Sequence, residues 1–412
     1  MYIDNYKKTI LDNGITVISE KIDSVRSIAV GIWIKAGSRF EEPSQNGIAH
    51  FLEHMTFKGT SKRSALKIAQ SLESLGGTLN AFTSKEITCY YANVLDIHLK
   101  KAIEVLADIV CDSVYPEKEI NKERMVVLEE INSVKDTPEE YIFDIFQEKL
   151  FPDNSLGRPI LGDEKIVKSF ERAKVLDFWQ KHYLTQNIVI SAAGNLDHNK
   201  LVKLIDSFFH FPANPSNGKY DEASVNHSKE YILDRPINQA HFCVGGESIS
   251  YESEDRIPLL ILNTYLGGGM SSRLFQKIRE QRGLAYTIYS FMDLYSDLGL
   301  FGVYAGTDPD KISQLKELLE EEFNLTTKKQ ISDSVLSRLK NQLKGNLVLG
   351  LENTSRRMSR LAKNELYLGE YISLDSLINN IDKVTSEDVY DIANQVIQPN
   401  KFVSVILKPS KN

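Results

Sequence analysis

Apolar positions along this chain recur every second residue in some segments and every third or fourth in others, and the change of period marks out strands and helices. Residues 7 to 36 read as two strands joined by a turn at Asp12-Asn13-Gly14. A helical segment around residue 50 and a helix over Ser64 to Leu75 come next, then a hairpin with strands near Thr78 to Phe82 and Ile87 to Leu95. Helical spacing then covers roughly 98 to 113, 117 to 134, 138 to 150 and 165 to 182, ahead of a strand at Ile188 to Ala193 and a helix over 198 to 209.

Polar, proline-bearing residues from Pro212 to Ser228 break all periodicity and predict a linker at 212–228 between domains at 1–211 and 229–412. Beyond it the order repeats in outline. Strands near 229 to 234 and 239 to 246 precede helices near 255 to 266 and 271 to 281; strands 285 to 294 and 298 to 305 follow, then several helices and a strand at Phe402 to Leu407. The mixture predicts an α+β fold of two homologous domains, each a mostly antiparallel sheet with helices packed on one face.

The string His50-Phe-Leu-Glu53-His54 carries the chemistry. On a helix advancing about 100° per residue, His50 and His54 stand roughly 40° apart and one turn apart, and Glu53 lies about 60° to the other side. Ile48, Leu52 and Met55 cluster roughly opposite, so the helix can bury one side and present ligands on the other. Neutral imidazoles suit Zn²⁺, a third protein ligand completes three, and the open position holds water whose pKa falls toward ~7. A neighbouring carboxylate such as Glu53 can take the proton of that water during attack on a peptide carbonyl. The order His-x-x-Glu-His is the inverzincin signature, so a third ligand is expected downstream. On the helical segment Asn121 to Asn132, Glu123 and Glu130 fall about 20° apart on one face, and Glu129 points about 100° away from Glu130.

The HFLEH string followed by ERMVVLEEI resembles the insulinase and mitochondrial-processing-peptidase family of zinc metallopeptidases, in its short single-unit bacterial form, and the likeness runs over essentially the whole chain. The resemblance implies Glu130 as the third metal ligand, seven residues after Glu123 of the Glu-Arg pair, with Glu123 orienting a histidine. The family also carries an arginine and a tyrosine seven apart in its C-terminal part, matched by Arg279 and Tyr286, whose donors suit a substrate backbone and a developing oxyanion. Gly267-Gly268-Gly269 reads as a flexible rim that meets substrate, and no Gly-Lys-Ser/Thr follows that would make it a phosphate loop. The segment around Asn80, Ala81 and Phe82 corresponds to the edge on which family members lay substrate as an added strand. In the second copy the helix Pro258 to Tyr265 takes the place of HFLEH and has no metal ligand. The resemblance further implies half of a clamshell closed by a second chain, hence a homodimer with Arg279 and Tyr286 serving the opposite subunit.

Composition adds boundaries. At 412 residues, with 42% hydrophobic and 25% charged residues, the chain can fill two or three domain cores. No run approaches the ~20 apolar residues of a membrane helix, and the first ten residues lack the apolar core of a secretory signal, which predicts a cytoplasmic protein without membrane insertion. Cys89, Cys111 and Cys243 are too few and too widely spaced for a disulfide framework. The net charge of −7 argues against nucleic-acid binding. The reading that emerges is a zinc-dependent endopeptidase, one Zn²⁺ per chain with cobalt or manganese also admitted by the ligand types, cutting peptides in a dimeric chamber. The alternatives are a noncatalytic or partner-dependent peptide-binding subunit of the same fold, and a small-molecule metal hydrolase.

Overall fold

The computed structural model describes residues 5–211 and 222–410. The first half runs β1 (Tyr6–Ile10), β2 (Thr16–Lys21), β3 (Ser27–Ile34), α1 (Ile48–Thr56), α2 (Ala65–Glu73), β4 (Thr78–Thr83), β5 (Thr88–Leu95), α3 (Leu99–Cys111), α4 (Glu117–Asp136), α5 (Pro138–Leu150), α6 (Glu164–Lys168), α7 (Arg172–His182), β6 (Ile188–Gly194) and α8 (His198–Phe208). The second half runs β7 (Lys229–Arg235), β8 (Ala240–Ser248), α9 (Arg256–Gly267), a π-helical turn (Phe275–Glu280), β9 (Ala285–Leu294), β10 (Gly299–Thr307), α10 (Ile312–Lys328), α11 (Asp333–Gly350), α12 (Thr354–Leu368), α13 (Leu374–Lys383), α14 (Ser386–Val396) and β11 (Val403–Pro409).

The strands form two sheets, ordered β1-β2-β6-β3-β5-β4 and β7-β11-β8-β10-β9. Apart from the extra edge strand β1, the two share one plan. In each, the leading strand pairs parallel with the last strand of its half, β2 with β6 and β7 with β11, and every other pairing is antiparallel. The repeat read from the sequence is therefore a repeat of topology, with α1 and α9 each preceding the outer hairpin of its sheet.

Two sequence expectations need correction. Residues 7 to 36 hold three strands rather than two, because the chain leaves the sheet after Lys21 and β6 inserts between β2 and β3. The single helix expected over 165 to 182 is two, since the chain breaks at Ser169 to Glu171 to bury Phe170. Asp163 caps the first of these, accepting hydrogen bonds from the N–H groups of Lys165 and Ile166. Of the expected linker 212–228, residues 212–221 lie outside the described residues.

Each sheet also carries a helix on its far face that periodicity did not foretell. Ile28, Val30, Ile32 and Ile34 of β3 point into the main core shared with α1 and α3, whereas Ala29 and Trp33 alternate to the other side and meet Met358, Leu361 and Ala362 of α12. In the second sheet, Cys243, Val403 and Val405 meet Ile142, Ile145 and Phe146 of α5. The described chain accordingly divides into two interleaved units, one drawn from Met1–Asn132, Arg158–Glu222 and Gly350–Ile372, the other from Ser133–Gly157, Ala223–Leu349 and Ser373–Asn412.

Helix α1 is fixed by its apolar side and by its first turn. Ile48, Phe51, Leu52 and Met55 are completely buried. At the N-terminus, where backbone donors lack intrahelical partners, Gly47 adopts φ +94° and a Cβ there would stand 2.7 Å from the Leu161 carbonyl oxygen. The donors are met by the buried carboxylate of Glu41, which accepts from Gly47 N and Ala49 N at 2.8 Å each and from Asn46 Nδ2 at 3.1 Å. Burial pushes the Glu41 carboxyl up to about 7, against the pull of these donors and of Arg158.

A carboxyl whose folded pKa lies above its unfolded value stabilises fully below the unfolded pKa and loses that contribution as pH rises through the folded one. Stability should therefore fall between about pH 4.5 and 7 by an amount on the order of 3 kcal/mol. Glu41→Gln, which keeps an acceptor but cannot ionise, should lack this component. Denaturant titrations of both proteins, freed of metal, at several pH values in that window check it; parallel pH curves for the two would refute it.

Candidate active site

Three side chains converge beside α1. His50 Nε2 and His54 Nε2 lie 3.8 and 3.6 Å from Glu130 Oε2, and the three candidate ligand atoms are within 4.8 Å of one another. Among the described residues this is the one group of three such side chains with metal-ligand spacing. The histidines come from successive turns of α1, and Glu130 comes from α4, a helix that buries Ile120, Val127, Leu128 and Ile131.

The donor set fits zinc. Two atoms each about 2.1 Å from one ion at a tetrahedral angle stand about 3.4 Å apart, close to the observed separations. Burial, and then the neighbouring His54, push the His50 imidazolium down to about 3, so the ring is neutral and keeps a lone pair for a cation. His54 Nδ1 lies 3.2 Å from Glu123 Oε2, which turns Nε2 toward His50 and Glu130. His50 has no such support: its Nδ1 is buried and makes no hydrogen bond among the described residues.

Glu53 leaves α1 beside the two histidines, and its Oε2 accepts a 2.5 Å hydrogen bond from Thr83 Oγ1 at the end of β4. Burial raises its pKa, opposed by Thr83 and His54 and reinforced by Glu130. Strand β4 is an edge of its sheet, hydrogen-bonded only to β5 among the described strands. Leu79 and Ala81 turn toward the main core. Asn80 and Phe82 turn the other way, with Phe82 edge-on to Trp33 at 5.6 Å. The Asn80 side chain accepts the Ala81 N–H at 2.8 Å, which occupies a donor on an otherwise open strand.

Arg279 and Tyr286 belong to the second unit and meet each other there. The guanidinium of Arg279 lies between two rings, 4.5 Å from the centroid of Phe275 and 5.4 Å from that of Tyr286, and Tyr286 is 73% exposed. Arg279 sits on the π-helical turn, a conformation frequent at functional sites. The glycine run has packing reasons of its own. A Cβ at Gly267 would stand 2.0 Å from Ser290 N and one at Gly268 2.6 Å from Thr264 Cα, while Gly269 adopts φ +147°.

Sequence reasoning missed Glu41, Thr83 and Lys58. None belongs to a recognisable spacing: Thr83 reaches Glu53 across 30 residues, and Lys58 Nζ reaches Glu123 Oε1, at 2.6 Å, across the loop and helices between α1 and α4. Only a threonine ending the hairpin strand beside α1, and a cation just past the end of α1, were legible as types.

Comparison with known proteins identifies the family. Residues 16–164 match the family described as insulinase (peptidase family M16), and residues 169–343 match the peptidase M16 inactive domain. An uncharacterized zinc protease of Streptomyces coelicolor is 40% identical over 98% of this chain and 90% of its own length. A second, from Bacillus subtilis, is 40% identical over 98% of this chain and 99% of its own. Among solved structures, a protease from Helicobacter pylori superposes with a TM-score of 0.92 at 22% identity, over 99% of this chain and all of that one. The match to the portion described as inactive takes in β7 to α10, including helix α9, which bears no histidine or acidic side chain. With both halves matched in order and relatives named zinc proteases aligned end to end, the chain belongs to the insulinase family of peptidases, family M16.

Proposed function

We propose that this protein is a zinc-dependent endopeptidase acting on peptides or unfolded segments, with one Zn²⁺ per chain held by His50, His54 and Glu130. The observation that carries the reading is the convergence of these three side chains beside a helix whose Glu53 is tied to a free strand edge. Bound there, zinc supplies Lewis-acid activation of water and of a peptide carbonyl.

The chain's own residues divide the remaining work. Glu53 takes the proton from the attacking water at a carboxylate oxygen and returns it to the leaving amine. Thr83 fixes the direction of that carboxylate through Oε2, leaving Oε1 for the proton. Glu123 orients His54. The open edge of β4 binds an extended peptide through main-chain hydrogen bonds, which demands little of its sequence. On binding, the peptide displaces the Asn80 side chain from the Ala81 N–H. Arg279 and Tyr286 supply donors to the substrate backbone and the developing oxyanion; in the homodimer this reading carries, they serve the metal centre of the opposite subunit.

Glu53→Gln should retain zinc, because Glu53 is not among the three converging ligands, yet lose about 10²- to 10⁴-fold in turnover of unstructured fluorogenic peptides. Turnover unchanged in the zinc-loaded variant would exclude Glu53 as the base, and no turnover in either protein would favour a peptide-binding subunit. Tyr286→Phe removes one exposed hydroxyl and should leave zinc content and melting temperature unaltered. Its kcat should fall by about 10²-fold if the phenol stabilises the oxyanion. A kcat equal to wild type, measured under saturating peptide, would remove Tyr286 from the machinery.

A further inference from the structure

We infer that Lys58 is a positioning residue for the metal centre, acting through Glu123 to fix the ring of His54; the inference rests on the zinc reading above. Lys58 follows α1 directly: Phe57 caps the helix through His54 and Met55 carbonyls, and Lys58 N–H donates to Met55 O at 3.1 Å. Its Nζ lies 2.6 Å from Glu123 Oε1, while Glu123 Oε2 lies 3.2 Å from His54 Nδ1. Glu123 is 4% exposed. A carboxylate that deep needs a counter-charge and filled acceptor sites, and Lys58 is the cation within salt-bridge distance among the described residues.

The consequence concerns the histidine. With Lys58 donating to Oε1, Glu123 presents Oε2 as an acceptor, so His54 Nδ1 carries the hydrogen and Nε2 keeps the lone pair directed at the ligand cluster. Without Lys58, Glu123 Oε1 loses its donor and nothing fixes the carboxylate plane that aims Oε2 at His54 Nδ1. A ring whose Nδ1 has lost a fixed acceptor is free to turn, and Nε2 is then no longer held toward the ligand cluster. His50 cannot compensate, because its own Nδ1 has no partner among the described residues. Control of ring orientation in the cluster thus runs along the single line Lys58–Glu123–His54, with one end on α1 and the other end two residues beyond it.

The test is zinc affinity, measured by chelator competition on the full-length protein at fixed pH, with metal-free melting temperature recorded for each variant. Lys58→Met should weaken zinc binding by about 10- to 100-fold, the range for groups that orient a metal-bound histidine. In a Glu123→Gln background the same change should cost little more, since the residue it acts through is already gone. Lys58→Gln, which still donates a hydrogen bond without charge, carries the test if Lys58→Met fails to fold, and should also lose affinity. Zinc affinity within twofold of wild type in the folded Lys58 variants, or an equal loss with and without Glu123, overturns the inference. Failure of the wild type itself to bind zinc would instead defeat the metal-centre reading, and this inference with it.

Discussion

Everything at the candidate site depends on holding one nine-residue helix against rotation and translation. Two imidazoles one turn apart share a cation only while α1 keeps its angle to α4, because Glu130 comes from a separate helix. Four fully buried apolar side chains set that angle from below. The ends of the helix are held by different means. At the N-terminus the Glu41 carboxylate meets backbone donors that the helix leaves open, a favourable place for negative charge. At the C-terminal end the chain turns into Lys58, whose ammonium joins the carboxylate of Glu123 on α4. Both ties use buried carboxyl groups, whose cost in desolvation is reduced only while their partners stay in register. A displaced α1 would therefore lose its anchors as well as its ligands.

How much of this was legible in the sequence follows from which interactions are local. The helix face of His50, Glu53 and His54 was readable because it depends on a single period, and the same period put Glu123 and Glu130 together on α4. Most elements of both halves were readable from alternation and helical spacing. What the pattern could not supply was the insertion of β6 between β2 and β3, since nothing in a run of apolar residues names its neighbour in a sheet. For the same reason the far-face helices were invisible: α12 shows an amphipathic stripe, but Met358 and Leu361 find their partners in Ala29 and Trp33, more than three hundred positions earlier. The domain boundary drawn at 212–228 assumes that chain continuity and packing coincide, whereas α5 packs on the second sheet and α12 on the first. Glu41 was hidden for a further reason. An acidic residue in a polar stretch before a proline reads as solvated, and its burial arises only from the fold around Asn46 and Gly47.

The two halves share topology and differ in chemistry, and the difference lies in few positions. Helix α9 stands where α1 stands in its own sheet's order, but it carries no histidine or acidic residue, and more than half of its residues are buried. Freed from holding ligands, this copy can spend its helix on packing. Gly267, at its C-terminal end, approaches the backbone of β9 so closely that a side chain is excluded. The tight junction leads into a π-helical turn that carries Arg279 toward Tyr286. A copy without histidine or acidic side chains on this helix thus keeps a rigid frame around Arg279 and Tyr286, and it lies within the match to the portion of the family described as inactive.

Under the proposed function, the edge strand β4 ties recognition to chemistry. A free edge is a hazard for a soluble protein because its unpaired backbone groups recruit other strands. Here Asn80 satisfies one such donor with its own side chain, an arrangement an incoming backbone carbonyl can replace at little cost. Three residues further along, Thr83 holds the carboxylate of Glu53. In that reading a peptide that pairs with β4 lies along the strand that aims the proposed base, and any shift of that strand moves both together. In the proposed reading this coupling would let register on β4, rather than side-chain pockets alone, choose the scissile bond. Specificity then falls on the residues that can face Leu79, Ala81 and Thr83 on one side and Asn80 and Phe82 on the other, since a strand alternates its side chains with a period of two.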